Sequence, residues 1–152
     1  MSGCLGWMAV CDRLKPIYES VGCLEAYVAG PGIARAGRAL LHREVRADEI
    51  VQMARRGNAR ARKILDEAGH YLGLAFANLV DVLNPEMIVL GGGVSKAGNL
   101  ILRPAILTMK QWAQPIAVKQ VRVVRSRLGS KAGLLGAAKL AFDRFIQPNR
   151  DH

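Results

Sequence analysis

The chain has 152 residues, of which 51% are hydrophobic, 22% charged and 5% aromatic, and its formal net charge is +10. That length predicts one domain with room for a hydrophobic core, and a mean hydropathy of +0.12 fits a soluble α/β protein rather than a disordered chain. No apolar run reaches the roughly 18 residues a membrane span needs, and no signal-peptide pattern opens the sequence, so the expectation is a cytoplasmic protein with no membrane partner.

Residues 1–22 have no clear period and contain Gly3, Gly6 and Pro16, which predicts a loop with a short strand at Trp7–Val10. All three cysteines, Cys4, Cys11 and Cys23, fall in this region or at its border. Their odd number and the lack of a CxxC pair argue against a disulfide framework and suit a reducing compartment. His42, His70 and His152 are distant in sequence, so spacing alone gives little ground for a metal site.

A helix is predicted from Cys23 to Ala29, ending near Gly30-Pro31-Gly32, and a second from Ile33 to Leu41. Asp48 is the expected cap of a short helix over Glu49–Arg55, which Gly57-Asn58 ends. The densest basic cluster, Arg55, Arg56, Arg60, Arg62 and Lys63, is followed at once by Asp66 and Glu67. Few aromatics are available to interleave with these charges as stacking platforms. A solvated helix face is the preferred reading. Nucleic-acid binding, which would weaken steeply with salt, stands as an alternative from a different class.

The strongest helical pattern covers Ala59–Leu83, with Ile64, Leu65, Ala68, Leu72, Ala75, Phe76, Leu79, Val80 and Leu83 recurring at three- and four-residue steps. Gly69, Gly73 and Ala77 form a small-residue ridge on it. Because glycine costs about 1 kcal/mol against alanine inside a helix, this ridge predicts close packing, with a sheet as the expected neighbour. Asn84-Pro85 ends the helix. Met87-Ile88-Val89-Leu90 then reads as a buried strand running into Gly91-Gly92-Gly93. Consecutive glycines remove every Cβ, so a flat or bulky ligand can lie on the backbone, and free N–H groups at a loop entering a helix suit a nucleotide or another anion. A ligand-free strand-to-helix turn is the plain alternative. A helix over Leu100–Gln114 with Pro104 in its first turns, a strand over Gln120–Ser126 and a helix over Ala132–Phe145 complete a parallel α/β unit.

Three segments, in this order, resemble the C-terminal part of the ROK family (repressors, open reading frames and sugar kinases). Gly22-Cys23-Leu24-Glu25-Ala26-Tyr27 resembles the end of its cysteine-rich zinc motif. Asn78-Leu79-Val80 and Leu83-Asn84-Pro85, leading to the glycines, resemble its long helix and adenosine loop. Arg127-Leu128-Gly129 with Ala132-Gly133-Leu134-Leu135-Gly136-Ala137-Ala138 resembles its C-terminal helix. The resemblance implies the C-terminal lobe of an actin-like, RNase H-type sugar-kinase fold, with residues 1–22 a degraded loop and strand region and 23–152 the ROK-like lobe. It implies transfer of the γ-phosphoryl group of ATP, with Mg²⁺, to a hexose, and homo-oligomers or association through an exposed lobe face. Gly91, Gly92 and Gly93 would lie under the adenosine. Glu25 would accept hydrogen bonds from sugar hydroxyls, a role that suits a carboxylate's acceptor oxygens; without the resemblance it reads as an exposed glutamate in a first helical turn.

The departures bear on activity. The Asp-Gly-Gly-Thr-type phosphate loop, the Asn-Asp pair with the catalytic aspartate and the second, Gly-Thr-Gly phosphate loop do not occur in the sequence. Asp81, the aspartate nearest a familiar setting, falls inside the long helix. The family's Glu-x-Gly-His stands as Cys4-Leu5-Gly6-Trp7, and two zinc cysteines fall on Pro16 and Tyr18. Cys23 is then the single match to a set of four ligands, so the zinc site is expected to be lost. From the border at Gly22 between departing and matching sequence, a truncated or frame-disrupted reading frame is the expectation. The expected function is a glucokinase-like lobe inactive as this chain, with no catalytic residue to assign. The effector lobe of a ROK repressor is the alternative.

Overall fold

The computed structural model describes residues 3–145. A short 3-10 turn at Leu5–Trp7 opens them. The strand expected at Trp7–Val10 does not form, because Met8 and Val10 pack on helices and have no neighbouring strand to pair with. Helix α1 (Tyr18–Val21) and helix α2 (Cys23–Val28) are separated by Gly22, whose φ of +81° only glycine adopts without strain. Helix α3 (Gly30–Leu41) begins at the Gly30-Pro31-Gly32 run that was expected to end its predecessor. Pro31 sits in the first turn, where a missing N–H costs nothing.

Helix α4 (Ala47–Arg55) is capped at Arg46, whose backbone N–H donates to Glu49 Oε1 at 3.2 Å. Asp48, the expected cap, lies inside the first turn and pairs with the Arg46 guanidinium at 3.0 Å. Helix α5 (Ala59–Leu83) matches the predicted bounds. Asn58 Oδ1 accepts from the Ala61 N–H at 2.9 Å at its start, and Asn84 turns left-handed at its end.

Strand β1 (Met87–Leu90) leads through a 3-10 turn at Val94–Ala97 to helix α6 (Asn99–Trp112). Helix α7 (Ala117–Gln120), which the pattern did not signal, shortens the second strand, β2 (Arg122–Arg125). A turn at Gly129–Lys131 precedes helix α8 (Ala132–Phe145). Strands β1 and β2 are parallel, with Met87 opposite Arg122 and Leu90 opposite Arg125. The expected burial of β1 is half met. Ile88, Leu90 and Val123 face the core, whereas Met87 (40% exposed), Val89 (57%) and Val124 (37%) form an uncovered outer face. Helix α8 buries none of its residues, and Leu134, Leu140 and Phe145 stand open.

The core is α5 wrapped by α3, α4 and α6. The glycine ridge packs against α6, not against the sheet as expected. A Cβ at Gly69 would lie 2.5 Å from Pro104 Cγ, and one at Gly73 would lie 2.6 Å from Thr108 Cβ. The backbone of α6 fills that space, and Thr108 is anchored by a 3.2 Å contact of its hydroxyl with His70 Nδ1. A second cluster joins Val10, Tyr18, Cys23, Leu24 and Ala26 to Ala75 on α5. Overpacking costs about 1–3 kcal/mol, so Gly73→Ala is expected to lower the urea midpoint by that order. Gly136→Ala in α8, where a Cβ meets nothing within 4 Å, is expected to leave the midpoint unchanged or raise it slightly. Equal effects of the two substitutions would contradict this packing.

Candidate functional site

The glycine loop leaves the carboxyl end of β1 beside the carboxyl end of β2, the position where open α/β sheets bind ligands. A Cβ at Gly91 would meet Ser126 Cβ at 3.8 Å, and Cβ atoms at Gly92 or Gly93 would meet nothing within 4 Å. Only Gly92, at φ +71°, needs glycine for its backbone conformation. The buried Ser95 hydroxyl donates to the Gly92 carbonyl at 2.7 Å and fixes the loop. The result is an exposed backbone platform with open space above it.

Beside the loop, Arg55, Arg62, Arg103 and Arg125 line a hollow of about 450 Å³ together with Gly98 and Asn99 at the start of α6. Arg55 donates to the Lys96 carbonyl at 2.9 Å, and Arg62 is tied to Asp66 at 2.9 Å. Among the described residues, no carboxylate lies within 4.0 Å of Arg55, Arg103 or Arg125. The solvated-face reading of the basic cluster therefore missed two members, because Arg55 and Arg62 meet Arg103 and Arg125 only through tertiary packing.

Glu25 stands exposed in the first turn of α2. The segment Leu5-Gly6-Trp7 lies against it: a Cβ at Gly6 would be 2.8 Å from Glu25 Oε2, and one at Gly22 would be 2.5 Å from the Gly6 carbonyl oxygen. Glycine at both positions lets this segment close over α2. Asp81 is exposed on α5 and accepts the Gln114 N–H at 2.8 Å, a structural role that ties α5 to the turn after α6.

Cys23 is buried, and Cys11, which sequence spacing set aside, comes to it with 3.6 Å between the sulfurs. Cys11 Sγ lies 3.4 Å from the Tyr18 hydroxyl and 3.8 Å from that of Tyr27, and these two hydroxyls are 2.7 Å apart. Lys15 Nζ donates to the Tyr27 hydroxyl at 2.9 Å, and Tyr71 stacks on the Tyr27 ring at 3.7 Å. The Tyr18 hydroxyl holds the Cys11 thiol below its ordinary pKa, outweighing burial, which acts the other way. Burial, followed by the bond to Cys11, raises that of Tyr18. Burial, helped by Tyr27, pushes Tyr71 up to about 12. A structural zinc needs four nitrogen or sulfur ligands. Among the described residues, no three His, Cys, Asp or Glu side chains gather into such a group. The residues at Cys23 do not fit zinc.

The model of the ROK family matches residues 19–144. The chain belongs to the ROK family. It is 35% identical over 133 residues to a glucokinase of Halalkalibacterium halodurans, covering 78% of this chain and 40% of that protein. It is 30% identical over 123 residues to an N-acetyl-D-glucosamine kinase of Shigella boydii, covering 78% and 39%. This ROK chain thus spans about 40% of the length of the curated relatives it matches. Among solved structures, it superposes on a ROK glucokinase from Streptomyces griseus, in complex with glucose and AMPPNP, with a TM-score of 0.67 and 29% identity, covering 80% of this chain and 45% of that one. A ROK transcriptional regulator homologous to the Escherichia coli MLC protein shares the fold at a TM-score of 0.70 and 21% identity, with 80% and 33% covered. The fold is accordingly that of part of an actin-like sugar kinase, as the sequence implied. Among the described residues, no helix is long and apolar enough to cross a membrane.

Proposed function

We propose that this chain carries the adenosine-binding face of an ATP-dependent hexose kinase of the ROK family. The observation that carries the reading is the open platform of Gly91, Gly92 and Gly93 at the carboxyl ends of two parallel strands. Backbone without side chains lets a purine and ribose approach closely. The arginines of the adjoining hollow add a positive field that suits a polyphosphate. Glu25 is the acceptor for a hexose hydroxyl, and Mg²⁺ would come with the ATP phosphates. Zinc has no place in the reading. The similar Streptomyces griseus glucokinase, in complex with glucose and AMPPNP, supports the same substrate pair.

Phosphoryl transfer rests on positioning and charge stabilisation around the γ-phosphate, plus a base or orienting group for the nucleophile. The sequence holds no Asn-Asp catalytic pair and neither phosphate loop. These residues therefore bind nucleotide without transferring its phosphoryl group, and no side chain here is assigned a catalytic role. The protein is cytoplasmic. The boundary at 22/23 separates a diverged approach segment from the working lobe. The uncovered outer face of β1 and β2, together with apolar α8, makes association with a second copy or another lobe the expected state. The fold shared with a ROK regulator keeps an effector-binding lobe as the second reading.

Titration calorimetry with AMPPNP is expected to give one site per chain. Gly92→Val, which places a β-branched residue at φ +71°, is expected to weaken it at least about tenfold, the equivalent of 1.4 kcal/mol. A coupled assay with ATP and glucose is expected to release no ADP above the blank. Absence of AMPPNP binding would remove the nucleotide reading, and ADP release would overturn the inactivity.

A further inference from the structure

The pair Cys11 and Cys23 has no part in the nucleotide reading, and of the two only Cys23 stands at a position of the family's zinc motif. Its geometry is that of a dithiol. The sulfurs are 3.6 Å apart, and bond formation brings them to about 2 Å. Cys11 lies on the irregular segment before α1 and is half-buried, so a small molecule can reach it. Cys23, the first residue of α2, is buried behind it. The nucleophile in thiol–disulfide exchange is the thiolate. The Tyr18 hydroxyl lies 3.4 Å from the Cys11 sulfur, and Lys15 donates to the adjoining Tyr27 hydroxyl at 2.9 Å.

We propose that Cys11 and Cys23 are a redox modification site that closes into an intramolecular disulfide on exposure to a low-molecular-weight disulfide. The Cys11 thiolate attacks one sulfur of R–S–S–R, forming a mixed disulfide and releasing RS⁻. The Cys23 thiol then loses its proton, its sulfur attacks the Cys11 sulfur, and the second RS⁻ departs. Two cysteine thiols are oxidised by two electrons, one R–S–S–R is reduced, and the two thiol protons end on two RSH. The cross-link ties the segment before α1, including Gly6 against Glu25, to the first turn of α2. A covalent staple then stands where the family's zinc ligand set is incomplete, and a small thiol reverses it.

The test uses the full chain carrying Cys4→Ser, which removes the exposed third thiol, incubated with oxidised glutathione and mapped by mass spectrometry without reduction. Trypsin cuts after Arg13, between the two cysteines, so the cross-link joins two peptides. The expected result is a joined peptide pair lighter by two hydrogens than the sum of its parts, restored by dithiothreitol, with a higher thermal midpoint for the oxidised chain. Cys23→Ser is expected to halt the reaction at a persistent glutathione adduct on Cys11. A persistent adduct on Cys11 with Cys23 intact would overturn the proposal. So would one equivalent of zinc that leaves on Cys11→Ser.

Discussion

Close contact between α5 and α6 sets the position of everything else in this chain. Gly69 and Gly73 remove the side chains that would hold the helices apart, and Pro104 and Thr108 of α6 fill the space. Helix α6 follows the glycine loop after one short turn, Val94–Ala97, so its seat on α5 determines where β1 ends and where the loop opens. Ser95 and Arg55 add local ties, from the Ser95 hydroxyl to the Gly92 carbonyl and from the guanidinium to the Lys96 carbonyl. A Cβ at Gly73 would push α6 away, and the platform would move with it.

The two ends of the chain depend on that centre unequally. The segment before α1 is held by its own cluster of Tyr18, Cys23, Leu24 and Ala26 on Ala75 of α5. A second thiol, itself beside two phenol hydroxyls, meets Cys23, where the family resemblance implied a metal. At the other end, β1 and β2 offer an outer face with Met87, Val89 and Val124 exposed and α8 offers an apolar helix, and among the described residues neither is covered. Exposed surface of that kind fits a lobe that docks on further structure.

Much of this was legible in the sequence, and the failures have physical causes. Periodicity located α5 to the residue, because a long helix repeats its signal over many turns, and α8 starts at Ala132 as expected. The glycine loop and the parallel pair were legible from a β-branched run between helices. Gly30-Pro31-Gly32 was legible as the end of α2 but hid the start of α3, because Pro31 is as good in a first turn as after a last one. Asp48 misled as a cap, because Glu49 reaches back to the Arg46 N–H instead. The ridge of Gly69 and Gly73 was legible as a close contact but not as a contact with α6. The approach of Cys11 to Cys23 and of Arg125 and Arg103 to Arg55 and Arg62 was illegible, since each depends on tertiary packing across segments with no shared period.

Amide hydrogen exchange of the whole chain with and without saturating AMPPNP tests most directly whether the loop seated by α5 and α6 is the nucleotide platform. The account predicts the slowest exchange in the centre of α5 and α6, rapid exchange along α8, and nucleotide-dependent protection confined to residues 91–98 and the facing end of β2. Protection that instead appears around Glu25 and α2, with residues 91–98 unchanged, would contradict it.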